Sequence, residues 1–260
     1  MRNIALALIA LWFFGCATRQ QCDPGLALVN ATVYMQSAAE YDAAARQTYA
    51  AARLALDRAL TDASQPAAII LDLDETVLDN SRYAAQSIDR DETFQFDDQW
   101  SAWVAQSASS AIPGAVEFLQ YAVSRGVTPY YITNRTSDME AATRLNLEKL
   151  GIPLSANVDT LLLRGERPEW NTTDKSSRRA YVSNDHDLLL VVGDDLNDFI
   201  AAGGKSVTER DAMVEQMADY WGKRWFIVPN AIYDSWESAV TGGTGTPCDQ
   251  LQKKVESLKR

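Results

Sequence analysis

Apolar and polar positions along the chain predict alternating helices and strands. Apolar residues recur at helical spacing over residues 30–60, which predicts one or two helices. The unbroken apolar run at residues 67–71 leads directly into Asp72 and is typical of a buried parallel strand. Similar runs predict four more strands, and helical patterns lie between them: strands at 127–132, 160–163, 188–192 and 225–228, and helices at 114–124, 138–150 and 175–182.

Strands that alternate with helices predict an α/β fold, with a Rossmann-like parallel sheet and helices on both of its faces. The main domain is expected at residues 30–240. A polar and aromatic stretch at residues 84–112 interrupts the alternation, which predicts a small inserted cap. Residues 241–260 are expected to form a C-terminal tail, with a loop at 241–246 that is rich in glycine and threonine.

Polar residues follow three of the predicted strands. Asp72, Thr133 and Asp194 each stand at the end of an apolar run. In open parallel sheets, ligands bind beyond the carboxyl ends of the strands. All three side chains can therefore lie in one ligand-binding crevice.

The first residues of the chain have the pattern of an export signal. Arg2 precedes an apolar run at residues 4–14. This run is short for a membrane span, because a spanning helix needs roughly 20 apolar residues. Residues 1–16 are therefore expected to be a signal peptide, and residues 17–29 a linker.

Cys16 is a candidate site of lipidation. Gly15-Cys16 resembles the end of the lipobox of bacterial lipoproteins, in which the cysteine is acylated, although Phe13-Phe14 depart from that box. The expected location is the outer membrane, as a lipoprotein that faces the periplasm. Secretion to the periplasm and an uncleaved anchor stay open as alternatives.

Charge and cysteine content limit the function classes. The chain has a formal net charge of −11 and a pI near 4.6, which argues against binding to a nucleic acid polymer, since that requires clustered Lys and Arg. An anionic ligand would have to be held by local cations. Besides Cys16, the chain has Cys22 and Cys248, which either form a disulfide or remain two free thiols.

The run Asp72-Leu73-Asp74-Glu75-Thr76 carries the strongest chemical signal. Residues two apart in an extended segment project to the same side, so Asp72 and Asp74 can flank one phosphorus atom. A carboxylate can attack phosphorus, and its neighbour can transfer the proton. The ordinary alternative is a turn or a helix cap. Lys175, together with Thr133 and Asp194, makes coincidence less plausible.

These residues resemble a known family, the haloacid dehalogenase-like hydrolases, and within it the class C bacterial acid phosphatases. Residues 70–83 match the extended signature of that class, well beyond the shared core. Residues 193–199 match its second signature, except that Asp195 stands where the family has Asn or Glu. The resemblance extends from about residue 30 to residue 237.

The resemblance implies a catalytic role for four residues. Asp72 would attack phosphorus, and Asp74 would first protonate the leaving oxygen and then activate water. Thr133 would donate a hydrogen bond to a phosphoryl oxygen. Lys175 would balance the negative charge of Asp72 and of the phosphoryl group. The expected activity is that of an acid phosphatase acting on small phosphate monoesters.

The resemblance also implies a magnesium ion. Its ligands would be the Asp72 carboxylate, the Asp74 backbone carbonyl and the Asp194 carboxylate, a set of oxygen atoms that suits Mg²⁺. Three neighbours are expected to support the site without touching the reacting atoms: Asn134, Asp195 and Asp198.

Aromatic residues are candidates for substrate recognition. Trp100 in the predicted cap and Tyr233 near the last strand could offer ring faces to a base, which favours nucleoside 5′-monophosphates as substrates. Phe94, Phe96 and Trp103 lie in the same cap, and for Trp103 a place in the core is preferred. Two further functions stay open: a phosphotransferase that uses the same intermediate, and a non-enzymatic lipoprotein that binds a cofactor or haem.

Overall fold

The computed structural model describes residues 22–64 and 66–260. The expected signal peptide and Cys16 lie outside these residues. Within the described part, no helix combines the length and the apolar character that crossing a membrane requires.

The described chain alternates between helices and strands, as the sequence pattern predicts. Its elements in chain order are α1 (Leu26–Ser37), α2 (Ala39–Ala59), β1 (Ala67–Leu71), β2 (Leu78–Asp79), α3 (Ser81–Asp89), α4 (Asp98–Ala105), β3 (Ser110–Ala111), α5 (Ala115–Ser124), β4 (Thr128–Thr136), α6 (Glu140–Lys149), β5 (Leu161–Arg164), α7 (Ser176–Asp185), β6 (Asp187–Gly193), α8 (Leu196–Phe199), α9 (Val207–Gln216), β7 (Trp225–Ile227), α10 (Ser235–Thr241) and α11 (Pro247–Glu256).

Five parallel strands form the central sheet in the order β5-β4-β1-β6-β7. Leu71 at the end of β1 is in register with Tyr131 of β4 on one side and with Val192 of β6 on the other. The strand order reverses between β1 and β6, and a ligand crevice forms at such a switch point. The predicted α/β fold with a parallel sheet is confirmed.

Both faces of the sheet are buried against helices. Ile69 and Leu71 of β1 point into the larger core, which also holds apolar residues of α2 and α5. Ile70 points to the opposite face and into a second core that contains Trp170 and Val182. This burial on both faces explains why β1 is apolar at every position rather than at alternate ones.

The segment expected to be a cap contains most of α3, all of α4 and β3. β3 pairs with β2 in an antiparallel ribbon, and β2 follows closely after the Asp72 to Thr76 run. Tyr83 packs edge-on against Phe94 and Trp100, with ring centroids 4.9 and 5.3 Å apart. The ribbon and this aromatic cluster place the segment beside the carboxyl end of β1.

The C-terminal segment folds as a helix that is covalently tied to the start of the described chain. Cys22 and Cys248 form a disulfide across 226 residues of sequence. Cys248 lies in α11, whose first turn is capped by Thr246. Of the two alternatives left open by the sequence, the structure therefore shows the paired cysteines.

Candidate active site

Asp72 and Asp74 lie on a tight loop after β1. The Asp72 amide donates to the Val192 carbonyl at 3.0 Å, which extends the sheet to the first carboxylate. The Leu73 carbonyl then accepts from the amides of Val77 and Leu78 at 2.8 and 2.7 Å, which turns the chain back on itself. Both aspartates line a cavity of about 390 Å³.

Three carboxylates meet at the bottom of the site. Asp72, Asp194 and Asp198 each offer an oxygen, and these oxygens lie within 4.8 Å of one another. Burial and then the neighbouring carboxylates, Asp234 first among them, raise the pKa of Asp194 well above its usual value. Buried negative charge of this kind is stabilised by a cation, and oxygen donors suit a hard divalent metal ion.

Asp194 is held from two sides. Thr76 Oγ1 donates to its Oδ1 at 2.8 Å, and Asn230 Nδ2 donates to its Oδ2 at 2.9 Å. Each carboxylate oxygen has room for a further partner, because a carboxylate accepts about four hydrogen bonds in all. These contacts orient Asp194 and leave it able to bind a metal ion.

Asp198 is occupied by contacts within the protein. Its Oδ2 accepts from the amides of Asp194 and Asp195 at 3.1 and 3.0 Å, and its Oδ1 accepts from Lys175 Nζ at 2.6 Å. A Cβ on Gly193 would lie 2.3 Å from Asp198 Oδ2, so only glycine fits there. Both oxygens of Asp198 are thus engaged within the protein, and the supporting role that the resemblance implies for it stays a prediction.

Lys175 bridges Asp198 and Asp72. It is buried at the start of α7 and donates hydrogen bonds to both carboxylates. Burial disfavours its ammonium form, but attraction to Asp198 and Asp72 outweighs burial and raises its pKa above the usual value. Burial, together with Asp198 and Asp74, raises the pKa of Asp72 to about 7 against the opposing effect of Lys175.

Thr133 and Asn134 stand at the end of β4, beside the end of β1. Thr133 is fully buried, and its Oγ1 accepts from the Arg135 amide at 3.1 Å. Asn134 lines the cavity, and its side chain is held by Arg178 Nη2 at 2.8 Å and by the Thr173 carbonyl at 3.2 Å. The neighbouring strands bring both residues to the same edge as Asp72.

Both carboxylate oxygens of Asp195 accept hydrogen bonds from neighbouring residues. It caps α8 by accepting from the Asn197 amide at 2.8 Å, and it also accepts from Ser235 Oγ at 2.7 Å and from Arg210 at 3.4 Å. The position at which this chain differs from the family signature thus ties α8 to α9 and α10. The supporting role predicted for Asp195 stays a prediction.

Two arginines in the site were missed by the sequence analysis. The buried Arg135 forms an ion pair with the partly exposed Asp74, with Nη2 to Oδ1 at 2.7 Å and Nε to both oxygens at 3.1 Å. Arg178 is fully buried and donates to the Thr133 carbonyl, and burial lowers its pKa to about 10. The available signal for Arg135 was its place directly after Thr133 and Asn134. For Arg178, the only available signal was its position shortly after Lys175 in the sequence.

Aromatic side chains form one wall of the cavity. Phe94, Phe96 and Tyr233 line it, and Phe94 stacks on Tyr233 with ring centroids 3.8 Å apart. Phe96 is 65% exposed at this wall. Trp100 differs from expectation: it is 2% exposed, is not among the described residues that line the cavity, and lies against Phe96 and Arg135. Trp103 is buried, as preferred from the sequence.

Comparison with known proteins agrees with this geometry. The family model described as HAD superfamily, subfamily IIIB (acid phosphatase) matches residues 17–236. A structure of the class C acid phosphatase from Bacillus anthracis is 34% identical, with a TM-score of 0.84 over 92% of this chain and 99% of that chain. A crystal structure of the class C acid phosphatase from Bacillus anthracis with tungstate bound is also 34% identical, with a TM-score of 0.83 over 91% and 98%.

The residues matched by the family model include the whole sheet, the cap segment and the four buried site residues Asp72, Lys175, Asp194 and Asp198. The identity and the extent of the match go well beyond a shared fold. The chain therefore belongs to subfamily IIIB of the HAD superfamily, the acid phosphatases.

Proposed function

We propose that this acid phosphatase hydrolyses small phosphate monoesters through an aspartyl phosphate on Asp72. The observation that carries the proposal is the different pairing of two carboxylates on one cavity: Lys175 donates to Asp72, whereas Arg135 pairs with Asp74. Two carboxylates in different surroundings can divide into a nucleophile and a proton-transfer group.

The reaction has two steps. Asp72 attacks phosphorus, the bond from phosphorus to the leaving oxygen breaks, and Asp74 gives that oxygen its proton. Asp74 then takes a proton from water, which attacks the aspartyl phosphate and releases inorganic phosphate and free Asp72. Lys175 would offset the negative charge on Asp72 in both steps. Thr133, which is fully buried at the end of β4 beside Asp72, would donate a hydrogen bond to a phosphoryl oxygen.

The chain's own oxygen donors are suited to a divalent cation, which we propose to be Mg²⁺. Asp72 and Asp194 would hold it with their carboxylates, and Asp74 with its backbone carbonyl. The buried carboxylates of Asp72 and Asp194 lie within reach of one another, which supports this assignment. When bound, the ion would supply positive charge to the phosphoryl oxygens.

The proposed substrates are small organic phosphates, nucleoside 5′-monophosphates among them. The cavity of about 390 Å³ is in the range of small-molecule sites. Phe96, which is exposed at the aromatic wall, offers a ring face to a base, and Tyr233 lies beside it. Tungstate is bound in the Bacillus anthracis relative, and tungstate is a tetrahedral oxyanion like phosphate, which supports an oxyanion site here.

We also propose that the protein works outside the cytoplasm, at the outer membrane facing the periplasm. The pattern of residues 1–16 supports export, with Cys16 as the lipidated residue. The Cys22 to Cys248 disulfide fits an oxidising compartment.

A phosphate-release screen tests the proposed reaction and substrate class together. The purified protein is assayed against nucleotides, nicotinamide nucleotides, sugar phosphates and p-nitrophenyl phosphate, with Mg²⁺ and with a chelator. We expect release that requires Mg²⁺ and that Asp72→Asn abolishes. Unchanged release by Asp72→Asn would contradict the role of Asp72, and unchanged release with the chelator would contradict the need for a metal.

A further inference from the structure

Glu75 lies at the centre of a buried hydrogen-bond network beside the cavity. Its side chain is fully buried, and its backbone is in the left-handed region with φ 61°. A residue other than glycine holds this conformation only where its surroundings enforce it. None of the ion pairs within the described part of the chain includes Glu75. Its carboxyl group is instead held by neutral hydrogen-bond donors.

One side of this network reaches the aromatic wall. The hydroxyl of Tyr233 donates to Glu75 Oε2, and the Tyr233 ring stacks on Phe94. The carbonyl of Tyr233 accepts from Asn230 Nδ2 at 3.1 Å, and the same amide group donates to Asp194. Tyr233 is therefore fixed at its ring end by Glu75 and at its backbone by Asn230.

The other side of the network reaches the proton-transfer group. The Asn80 amide N–H donates to Glu75 Oε1 at 2.8 Å, and Asn80 Nδ2 lies 3.4 Å from Oε2. Asn80 Nδ2 also donates to Asp74 Oδ1 at 2.9 Å. The path from Glu75 to the Asp74 carboxylate thus has a single intermediate residue.

The orientation of Asn80 is set by the cap segment. Its Oδ1 accepts from Trp103 Nε1 at 2.9 Å and from Ser109 Oγ at 2.7 Å. Because both partners donate, the amide oxygen must face them and the NH₂ group must face Asp74. The network consequently has one arrangement that satisfies all of its donors.

We propose that Glu75 is a positioning residue that joins the aromatic wall of the substrate cavity to the proton-transfer group, through Tyr233 on one side and through Asn80 on the other. The inference rests on the function proposed above. Glu75 does not touch the reacting atoms. It fixes where the ring of Tyr233 stands and where the Asp74 carboxylate points, so recognition and proton transfer depend on the same side chain.

The variant Glu75→Gln tests this role with little change of volume. A glutamine side chain has one acceptor oxygen and one donor NH₂ group, whereas Asn80 and Tyr233 both donate to Glu75. Glutamine therefore cannot keep both contacts as they stand, because its NH₂ group must face either the Asn80 N–H, which cannot accept, or the Tyr233 hydroxyl, which would have to turn and accept. Glu148→Gln is the matched control, because Glu148 is an exposed glutamate of α6.

The decisive measurement is kcat/KM for a series of substituted phenyl phosphates, with Mg²⁺ present. The aromatic ring is nearly the same in all of these substrates. Nitrophenolate leaves without a proton, whereas the phenolate leaving group needs a proton from Asp74. We expect Glu75→Gln to widen the ratio of p-nitrophenyl to phenyl phosphate by about 10-fold, part of the effect of a well-placed acid. It should also raise KM for a nucleoside 5′-monophosphate more than KM for ethyl phosphate.

Tyr233→Phe separates the two sides of the network. It removes only the hydroxyl that donates to Glu75, so it should raise KM for the nucleoside monophosphate and leave the leaving-group ratio nearly unchanged. Adding it to Glu75→Gln should raise KM little further, because both changes remove the hydrogen bond that the Tyr233 hydroxyl donates to residue 75.

The outcomes distinguish this inference from the proposed function. If the wild-type protein releases no phosphate from any ester, the proposed function fails first. If the wild type is active and Glu75→Gln lowers kcat/KM equally for all phenyl phosphates, or only lowers the melting temperature, Glu75 has a structural role and the inference is wrong. An unchanged leaving-group ratio in a folded Glu75→Gln variant also overturns it.

Discussion

Lys175 Nζ lies 2.6 Å from Oδ1 of Asp198, and this contact decides how the charges of the site are divided. Asp198 uses its other oxygen for backbone amides, so its lone pairs are directed into the protein. Lys175 also donates to Asp72. One buried ammonium thus contacts two carboxylates, and in the proposed reaction Asp72 and Asp194 would bind the metal ion.

Lys175→Ala should impair both activity and folding. Without the ammonium, and with a chelator present, Asp72 and Asp198 are buried carboxylates with no cation partner, and breaking a buried pair of this kind costs about 3–5 kcal/mol. Phosphate release should fall by a factor of about 100 or more. Urea unfolding and steady-state kinetics measure the two effects.

Lys223→Ala is the control for this variant. Lys223 pairs with Asp219 on an exposed surface, where such a pair contributes little. Its unfolding free energy and activity should stay near the wild-type values. A Lys175→Ala variant that matched this control in both measurements would contradict the assigned role of Lys175.

Asp74→Asn should stop the reaction after its first step with an activated ester. Nitrophenolate leaves without a proton, so Asp72 can still be phosphorylated, but water is no longer activated. Rapid mixing with p-nitrophenyl phosphate should show a burst of about one nitrophenolate per site, followed by little turnover. Asp72→Asn should show no burst, and a burst in that variant would exclude Asp72 as the nucleophile.

The metal-free protein should lose stability as the pH rises from about 5 to about 8. Burial, with Asp74 next, raises the pKa of Glu75 from 4.5 to about 8, and burial raises that of Asp72 from 3.8 to about 7. In this window the folded protein keeps protons that the unfolded chain has released, so the free energy of unfolding falls with rising pH. Thermal unfolding at a series of pH values, with a chelator present, measures this fall in stability.

Added Mg²⁺ should oppose that loss most strongly at the upper end of the window, because it binds the ionised carboxylates of the folded state. Glu75→Gln should reduce the pH dependence in the chelator, since it removes one of the groups that titrate. If the metal-free protein became more stable between pH 5 and pH 8, the predicted direction of the stability change would be wrong.

Breaking the disulfide should destabilise the fold without abolishing it. The Cys22 to Cys248 bond closes most of the chain into a loop, and removing such a bond typically costs about 2–5 kcal/mol. Cys248→Ser should therefore lower the melting temperature in oxidising buffer. Reductant should lower the melting temperature of the wild type towards that of Cys248→Ser and leave the variant unchanged.

Cys16→Ser tests the proposed lipid anchor. The wild-type protein expressed with its signal should partition into a detergent phase and carry an added acyl mass at Cys16. The variant should lose both properties and keep its phosphatase activity, because Asp72, Asp74, Lys175 and Asp194 contact one another and their neighbours within the described part of the chain. Detergent partition of the variant equal to that of the wild type would favour an uncleaved anchor.

Two helices that the sequence analysis did not predict, α9 and α11, had local signals. α9 begins with a capping box in which Ser206 and Glu209 satisfy each other's backbone groups. α11 begins with the same arrangement, formed by Thr246 and Asp249, and Pro247 occupies its first helical position. These motifs are readable from sequence spacing, so both helices could have been predicted without the structure.

The sequence by itself determined the elements around the site and its main chemistry. The apolar run of β1 ending at Asp72, and the run of β6 ending at Asp194, required only local spacing, because a strand buried on both faces is apolar throughout. Asp74 followed from its place two residues after Asp72. The parallel sheet followed from the alternation of strands with helices.

Only the tertiary structure decided which distant side chains meet. Arg135 pairs with Asp74 across 61 residues, and Tyr233 reaches Glu75 across 158. Such pairs depend on the order of strands in the sheet and on the packing of the cap, and neither leaves a periodic trace in the chain. Glu75 was therefore visible in the motif around Asp72 from the start, but its role as the link between the aromatic wall and Asp74 could come only from the folded contacts.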